Sequence, residues 1–113
     1  LAASGWRIHA TLRDPSKAAA LRRALGVEEE RLSFFGADLM RDAGWAEALS
    51  GCTHVAHLAS PLPSEVPESK EEVIAPARDG ALRVLRFARD AGAKRFVLAS
   101  SNGAIGYGRP RGD

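Results

Sequence analysis

A chain of 113 residues has the length of one ordinary domain, and 45% hydrophobic with 27% charged residues is a globular balance rather than a disordered one. Sixteen Lys and Arg against fourteen Asp and Glu leave a formal charge of +2, with no basic stripe or interleaved aromatics, so no nucleic-acid partner is expected. No apolar run nears the roughly 20 residues of a membrane span, one cysteine allows no internal disulfide, and no Cys/His cluster has zinc spacing. Neither a membrane nor a metal is therefore expected.

Leu1-Ala-Ala-Ser4 reads as the last turn of a helix, and Gly5 stands where a helix C-terminus favours glycine. A chain that opens inside a helix, with Met40 as its single methionine, is expected to be a fragment. No basic, apolar leader precedes the first strand, so a cytoplasmic location is expected.

Trp6 to Leu12 predicts a strand, because Trp6, Ile8, Ala10 and Leu12 alternate with Arg7, His9 and Thr11. Asp14-Pro15-Ser16 is a helix start, with Pro15 or Ser16 near the cap. Ala18 to Leu25 is rich in good helix formers, and Gly26 closes it. Arg31 to Gly36 predicts a short strand. Arg41 to Ser50 predicts a short helix with Trp45, Ala48 and Leu49 on one face and Gly51 as its stop. The apolar run His54 to Ala59 predicts a buried strand. Ser60 to Pro67 is a proline-rich surface loop. A long helix follows, with Pro76 expected in its first turn, and Ala77, Ala81, Val84, Leu85 and Ala88 form its apolar face. Gly92 ends it. Arg95 to Ala99 is the last strand, and Ser100 to Gly108 a loop of small residues.

Strands alternating with helices predict an α/β fold with a parallel sheet covered on both faces. Ligands in such folds bind beyond the C-terminal ends of the strands, which here carry several candidate residues. Arg13 follows the first strand, where an arginine suits a ribose 2′-phosphate; the alternative is a solvated turn arginine. Lys17 adds a second cation or points to solvent. Asp38 either accepts a hydrogen bond from an adenine amino group or caps the next helix. Leu58-Ala59-Ser60 offers small residues to a cofactor, or simply a tight exit before Pro61. His57 reads as a packed core histidine, and Cys52 is assigned no role. Ser101, in the pair Ser100-Ser101, can hold a substrate carbonyl oxygen or merely stop a strand. Tyr107 has Arg111, not lysine, four residues on.

Five segments occur together in order: Gly5-Trp-Arg-Ile-His-Ala-Thr-Leu-Arg-Asp-Pro15, Ala37-Asp-Leu39, Gly51-Cys-Thr-His-Val-Ala-His-Leu-Ala-Ser-Pro61, Glu72-Val-Ile-Ala-Pro76 and Lys94-Arg-Phe-Val-Leu-Ala-Ser-Ser101. With them the chain resembles the extended short-chain dehydrogenase/reductase superfamily, the NAD-dependent epimerase/dehydratases, and within it the dihydroflavonol reductase and cinnamoyl-CoA reductase branch. The resemblance implies a partial Rossmann-type, doubly wound parallel sheet that lacks the first strand and the glycine-rich turn. It implies NADP as cofactor, with NAD as the alternative. Arg13 would contact the 2′-phosphate with Lys17 nearby, Asp38 and Leu39 the adenine edge, and Leu58, Ala59 and Ser60 the adenosine and ribose. Ser101 would be the catalytic serine.

The family's Gly-x-x-Gly-x-x-Gly turn is expected before Leu1, and its Tyr-x-x-x-Lys pair beyond Asp113. The chain is thus expected to be an inactive piece of an oxidoreductase acting on an aldehyde or ketone, with a homodimer compatible with the resemblance. The alternatives are a non-catalytic dinucleotide sensor on the same fold and a sugar-nucleotide epimerase or dehydratase. The resemblance also places the missing strand between the strands at Trp6–Leu12 and His54–Ala59. Those two are expected to flank a gap, or else to close up and pair.

Overall fold

The computed structural model describes residues 2–61 and 65–101. A short 3-10 turn, Ala2–Ser4, leads into β1 (Ile8–Leu12). A second, Pro15–Lys17, runs into α1 (Ala18–Leu25). Then come β2 (Leu32–Gly36), α2 (Trp45–Leu49), β3 (His54–His57), α3 (Glu71–Asp90) and β4 (Arg95–Leu98).

Both strand pairs are parallel. β1 pairs with β2 from Ile8↔Leu32 to Leu12↔Gly36, and β3 with β4 from His54↔Arg95 to His57↔Leu98. β1 and β3 share no ladder, so the described strands form two two-stranded sheets. Of the two arrangements expected for β1 and β3, the structure adopts the one in which they do not pair.

Strand residues alternate between faces, and this alternation shows how the helices lie. On one face of β2, Phe34 sits under the Arg22 guanidinium of α1, 5.3 Å from the ring centroid. On the other, Phe35 meets the ring of His9, whose Nδ1 lies 2.7 Å from the Ala48 carbonyl of α2. α1 and α2 therefore cover opposite faces of β1–β2, as a doubly wound α/β fold requires.

The core joins the two sheets. Trp45 and Leu49 of α2 pack with Val84 and Ala88 of α3, and Ala37, Leu39, Val55, Phe87 and Phe96 surround them. Val55 and Phe96 come from β3 and β4, so this cluster ties the second sheet to the first. It is small, and the strands are correspondingly less covered than their sequence implies. β3 was expected to be buried along its length, yet only His57 is buried, and Val97 and Leu98 of β4 are exposed. The described helices leave part of this sheet without a covering layer.

Two helix starts differ from expectation. α2 begins at Trp45 rather than Arg41, because Gly44 adopts φ +89, a left-handed conformation that interrupts a right-handed helix. α3 begins at Glu71, and Pro76 lies inside it rather than in its first turn. The earlier start has a local cause. Ser69 Oγ accepts from the Glu72 N–H at 3.4 Å, while Glu72 Oε2 accepts from the Glu68 N–H at 2.9 Å. This is a variant of the reciprocal Ser-x-x-Glu cap, which secures orphan amide groups ahead of the proline. Residues 62–64 of the proline-rich loop and residues 102–108 of the last loop lie outside the described residues.

Candidate functional site

The parallel register of β1 and β2 places two predicted segments side by side. The Ala37 N–H donates to the Leu12 carbonyl at 3.0 Å, so Arg13 leaves β1 beside the point where β2 runs into Asp38. The approach is close: a Cβ on Gly36 would meet Pro15 Cγ at 2.8 Å. Asp14 shapes the turn after Arg13. Its Oδ1 accepts from the Ser16 N–H at 3.1 Å and from the Ser16 hydroxyl at 2.7 Å. Those two bonds hold the Asp14 carboxyl below its usual range, with a smaller contribution from Lys17. Arg13 and Lys17 are both exposed, and among the described residues neither is in an ion pair.

Asp38 does not cap α2, which starts seven residues later at Trp45 with Gly44 in the cap position. Its Oδ1 accepts instead from the Met40 N–H at 2.9 Å, closing a local turn. The other carboxylate oxygen and the Leu39 N–H have no partner among the described residues. An acceptor and a donor thus stand on adjacent residues at the end of β2.

This turn is pinned from three sides. The Trp45 indole N–H is shared between the carbonyls of Asp38 and Arg41, each at 2.9 Å. Arg83 of α3 donates from Nε to Asp42 Oδ1 at 2.6 Å and from Nη1 to the Leu39 carbonyl. The Leu39 side chain lies against Gly80 of α3, where an added Cβ would meet Leu39 Cβ at 3.2 Å.

A second group forms at the ends of β3 and β4. The Ala99 N–H donates to the His57 carbonyl at 3.0 Å, which brings Leu58-Ala59-Ser60 alongside Ala99 to Ser101. Leu58 is 74% exposed, and Ala59, Ser60 and Ser101 are also exposed. His57 is the buried core histidine expected, its ring stacked on Phe96 at 6.2 Å, and burial lowers its pKa. Tyr107 lies outside the described residues.

The structure thus sorts the predicted residues into two sets. Arg13, Lys17, Asp38 and Leu39 lie at the end of the β1–β2 pair, and Leu58, Ala59, Ser60 and Ser101 at the end of the β3–β4 pair. Two surface cavities, of about 470 and 410 Å³, lie elsewhere, one against Pro67–Ile74 and one between Asp42 and α3. Cys52, assigned no role from sequence, sits 3.5 Å from His9 Nδ1 and donates to the Ala48 carbonyl at 3.5 Å, and burial raises its thiol pKa. His9 and Cys52 are 43 residues apart, and Arg83 is 44 from Leu39 in the turn it holds. Spacing along the chain carries no signal for either contact.

Residues 1–113 match the NAD dependent epimerase/dehydratase family from end to end. The chain belongs to this family. Among curated relatives, this epimerase/dehydratase chain is similar to the dihydroflavonol 4-reductase of Hordeum vulgare, 38% identical over 96% of the chain and 32% of that protein. It is 36% identical to the cinnamoyl-CoA reductase CAD2 of Medicago truncatula, over 95% of the chain and 34% of that protein. It is also 36% identical to tetraketide alpha-pyrone reductase 1 of Arabidopsis thaliana, over 89% of the chain and 32% of that protein. The chain therefore spans about a third of the length of the curated relatives it matches.

The family implies a nicotinamide dinucleotide, and the donor set can be tested against one. Adenine presents an amino donor next to a ring-nitrogen acceptor, which the free Asp38 oxygen and Leu39 N–H complement. Two exposed cations stand in the neighbouring turn, where a phosphate would be attracted. The residues present fit the adenosine half of the cofactor. Among the described residues no helix of the family chain is long and apolar enough to cross a membrane, and no group of three or more His, Cys, Asp or Glu could hold a metal.

Proposed function

We propose that the chain is the adenosine-binding part of an NADP-dependent oxidoreductase that interconverts an aldehyde or ketone and its alcohol. The observation that carries this reading is the pairing of β1 with β2. It sets the cations Arg13 and Lys17 next to the acceptor and donor of Asp38 and Leu39, all without a partner in an ion pair or at those atoms among the described residues. Arg13 takes the 2′-phosphate, for which a planar guanidinium is suited, and Lys17 adds a second positive charge. Asp38 accepts from the adenine amino group while the Leu39 N–H donates to the ring. Leu58, Ala59 and Ser60 leave the strand-end backbone open to the ribose, and the Ser101 hydroxyl donates to the substrate carbonyl oxygen.

When bound, NADP supplies or accepts the hydride. The names of the three relatives above, each a reductase, support a carbonyl substrate. The 113 residues contain neither a Gly-x-x-Gly-x-x-Gly turn nor a Tyr-x-x-x-Lys pair. On this reading the chain alone therefore lacks the pyrophosphate cradle and the tuned proton donor, and does not turn over. The proposed setting is the cytoplasm, with a homodimer as the proposed assembly.

Arg13→Ala in the intact protein tests the reading. A charge-assisted contact to the 2′-phosphate contributes about 1.5–3 kcal/mol, roughly one to two orders of magnitude in affinity. NADPH binding should weaken by that factor and NADH binding hardly at all, read by fluorescence titration. An equal loss for both cofactors would show that Arg13 does not read the phosphate.

A further inference from the structure

We propose that Arg83 is a positioning residue for base recognition. From α3 it sets the orientation of the Asp38–Leu39 turn and thereby the selectivity for adenine. This rests on the reading of Asp38 and Leu39 given above and assigns a role to a side chain that has none in it.

Arg83 lies 44 residues along the chain from Leu39, and its side chain is only 23% exposed. Its guanidinium is used as a fork: Nε goes to the Asp42 carboxylate at 2.6 Å and Nη1 to the Leu39 main-chain carbonyl. Asp42 is 77% exposed, and an ion pair so open to water adds little to global stability. The consequential bond is the one to Leu39. The Leu39 carbonyl shares one rigid peptide plane with the Met40 N–H that binds Asp38 Oδ1, so Arg83 orients the group that holds the Asp38 carboxylate. The preceding plane, which carries the Leu39 N–H, is held at its Asp38 carbonyl by Trp45.

Two contacts make this hold directional. Gly80, one turn before Arg83 on α3, admits the Leu39 side chain to a distance that any Cβ would contest. The Trp45 indole restrains the carbonyl of Asp38. Leu39 is therefore held by its side chain and its carbonyl from the same helix, while its N–H has no partner among the described residues. Asp42 in turn holds the guanidinium in place, so the Asp42–Arg83 pair acts on the base through Leu39 and does not touch it.

The test compares two cofactors in the intact protein, NADPH and its 6-deamino analogue, in which hypoxanthine replaces adenine. Hypoxanthine presents an oxygen where adenine has the amino group and an N–H where adenine has an acceptor, which inverts the edge that Asp38 and Leu39 complement. Arg83→Met should weaken NADPH binding about tenfold and leave the weaker analogue nearly unchanged, so that discrimination between the bases collapses. Arg83→Lys keeps the charge but not the fork, and should give an intermediate value. Asp42→Asn leaves α3 untouched and should shift discrimination in the same direction, which keeps the test decisive if Arg83→Met folds poorly.

Asp38→Ala separates this inference from the reading beneath it. If Asp38→Ala collapses discrimination while Arg83→Met and Asp42→Asn leave it intact, or weaken both cofactors equally, the positioning role is refuted and the adenine reading stands. If Asp38→Ala itself leaves discrimination intact, the adenine reading fails and the role of Arg83 falls with it.

Discussion

Gly44→Ala probes the close approach of the start of α2 to the end of β2. Gly44 has φ +89, and a Cβ there would overlap the Gly36 carbonyl oxygen, with the Gly36 carbonyl carbon at 3.2 Å and Ala37 Cα at 3.6 Å. The obstacle is backbone at the end of β2, so no flexible side chain can yield. The left-handed conformation alone costs an L-residue about 1–2 kcal/mol. To clear the overlap, the start of α2 must withdraw from β2, and Trp45 is the next residue. Its indole N–H then loses one or both of its bonds to the Asp38 and Arg41 carbonyls, each worth about 0.5–1.5 kcal/mol. The expected loss is therefore about 2–4 kcal/mol. Gly26→Ala is the matched control, since Gly26 also has positive φ, +63, but its Cβ would meet nothing within 4 Å. It should lose only the conformational 1–2 kcal/mol or so. Urea unfolding of the intact protein, followed by circular dichroism, gives both values. Equal losses would refute the argument that the approach of α2 to β2 requires glycine at position 44.

Two further outcomes follow from titratable groups. Burial holds the His57 imidazole below its ordinary 6.5, so as pH falls through 6.5 the unfolded chain takes up the proton first. The His57 contribution should be flat above 6.5 and decline below it, and the decline should be absent in His57→Phe; an unchanged profile in that variant would contradict the assignment. Burial also raises the Cys52 thiol pKa, so Cys52 should react with iodoacetamide near pH 8 more slowly than free cysteine, read by mass spectrometry. A faster reaction would show that His9 activates the thiol.

The alternation of Ile8, Ala10 and Leu12 with His9 and Thr11 was legible because strand geometry has a period of two, and the burial of β1 follows it. The alternation of strands and helices set the parallel α/β class, and short turns after each strand located Arg13, Asp38, Ser60 and Ser101 at strand ends. Reading Pro76 as the first turn of α3 missed the local Ser69-x-x-Glu72 cap, which starts the helix five residues earlier. All of these are local effects, acting over one or two turns of chain. What joins the ends of β1 and β2 is not local. The parallel register sets Arg13 beside Asp38, and Arg83 and Gly80 hold Leu39 from a helix some forty residues away. The exposure of β4 was likewise decided by which surfaces the helices cover, and only the packed chain shows that β1 and β3 form no ladder. Hydrophobic pattern and turn chemistry specify elements through neighbours in sequence. The site depends on distances between elements, which exist only once the chain has packed.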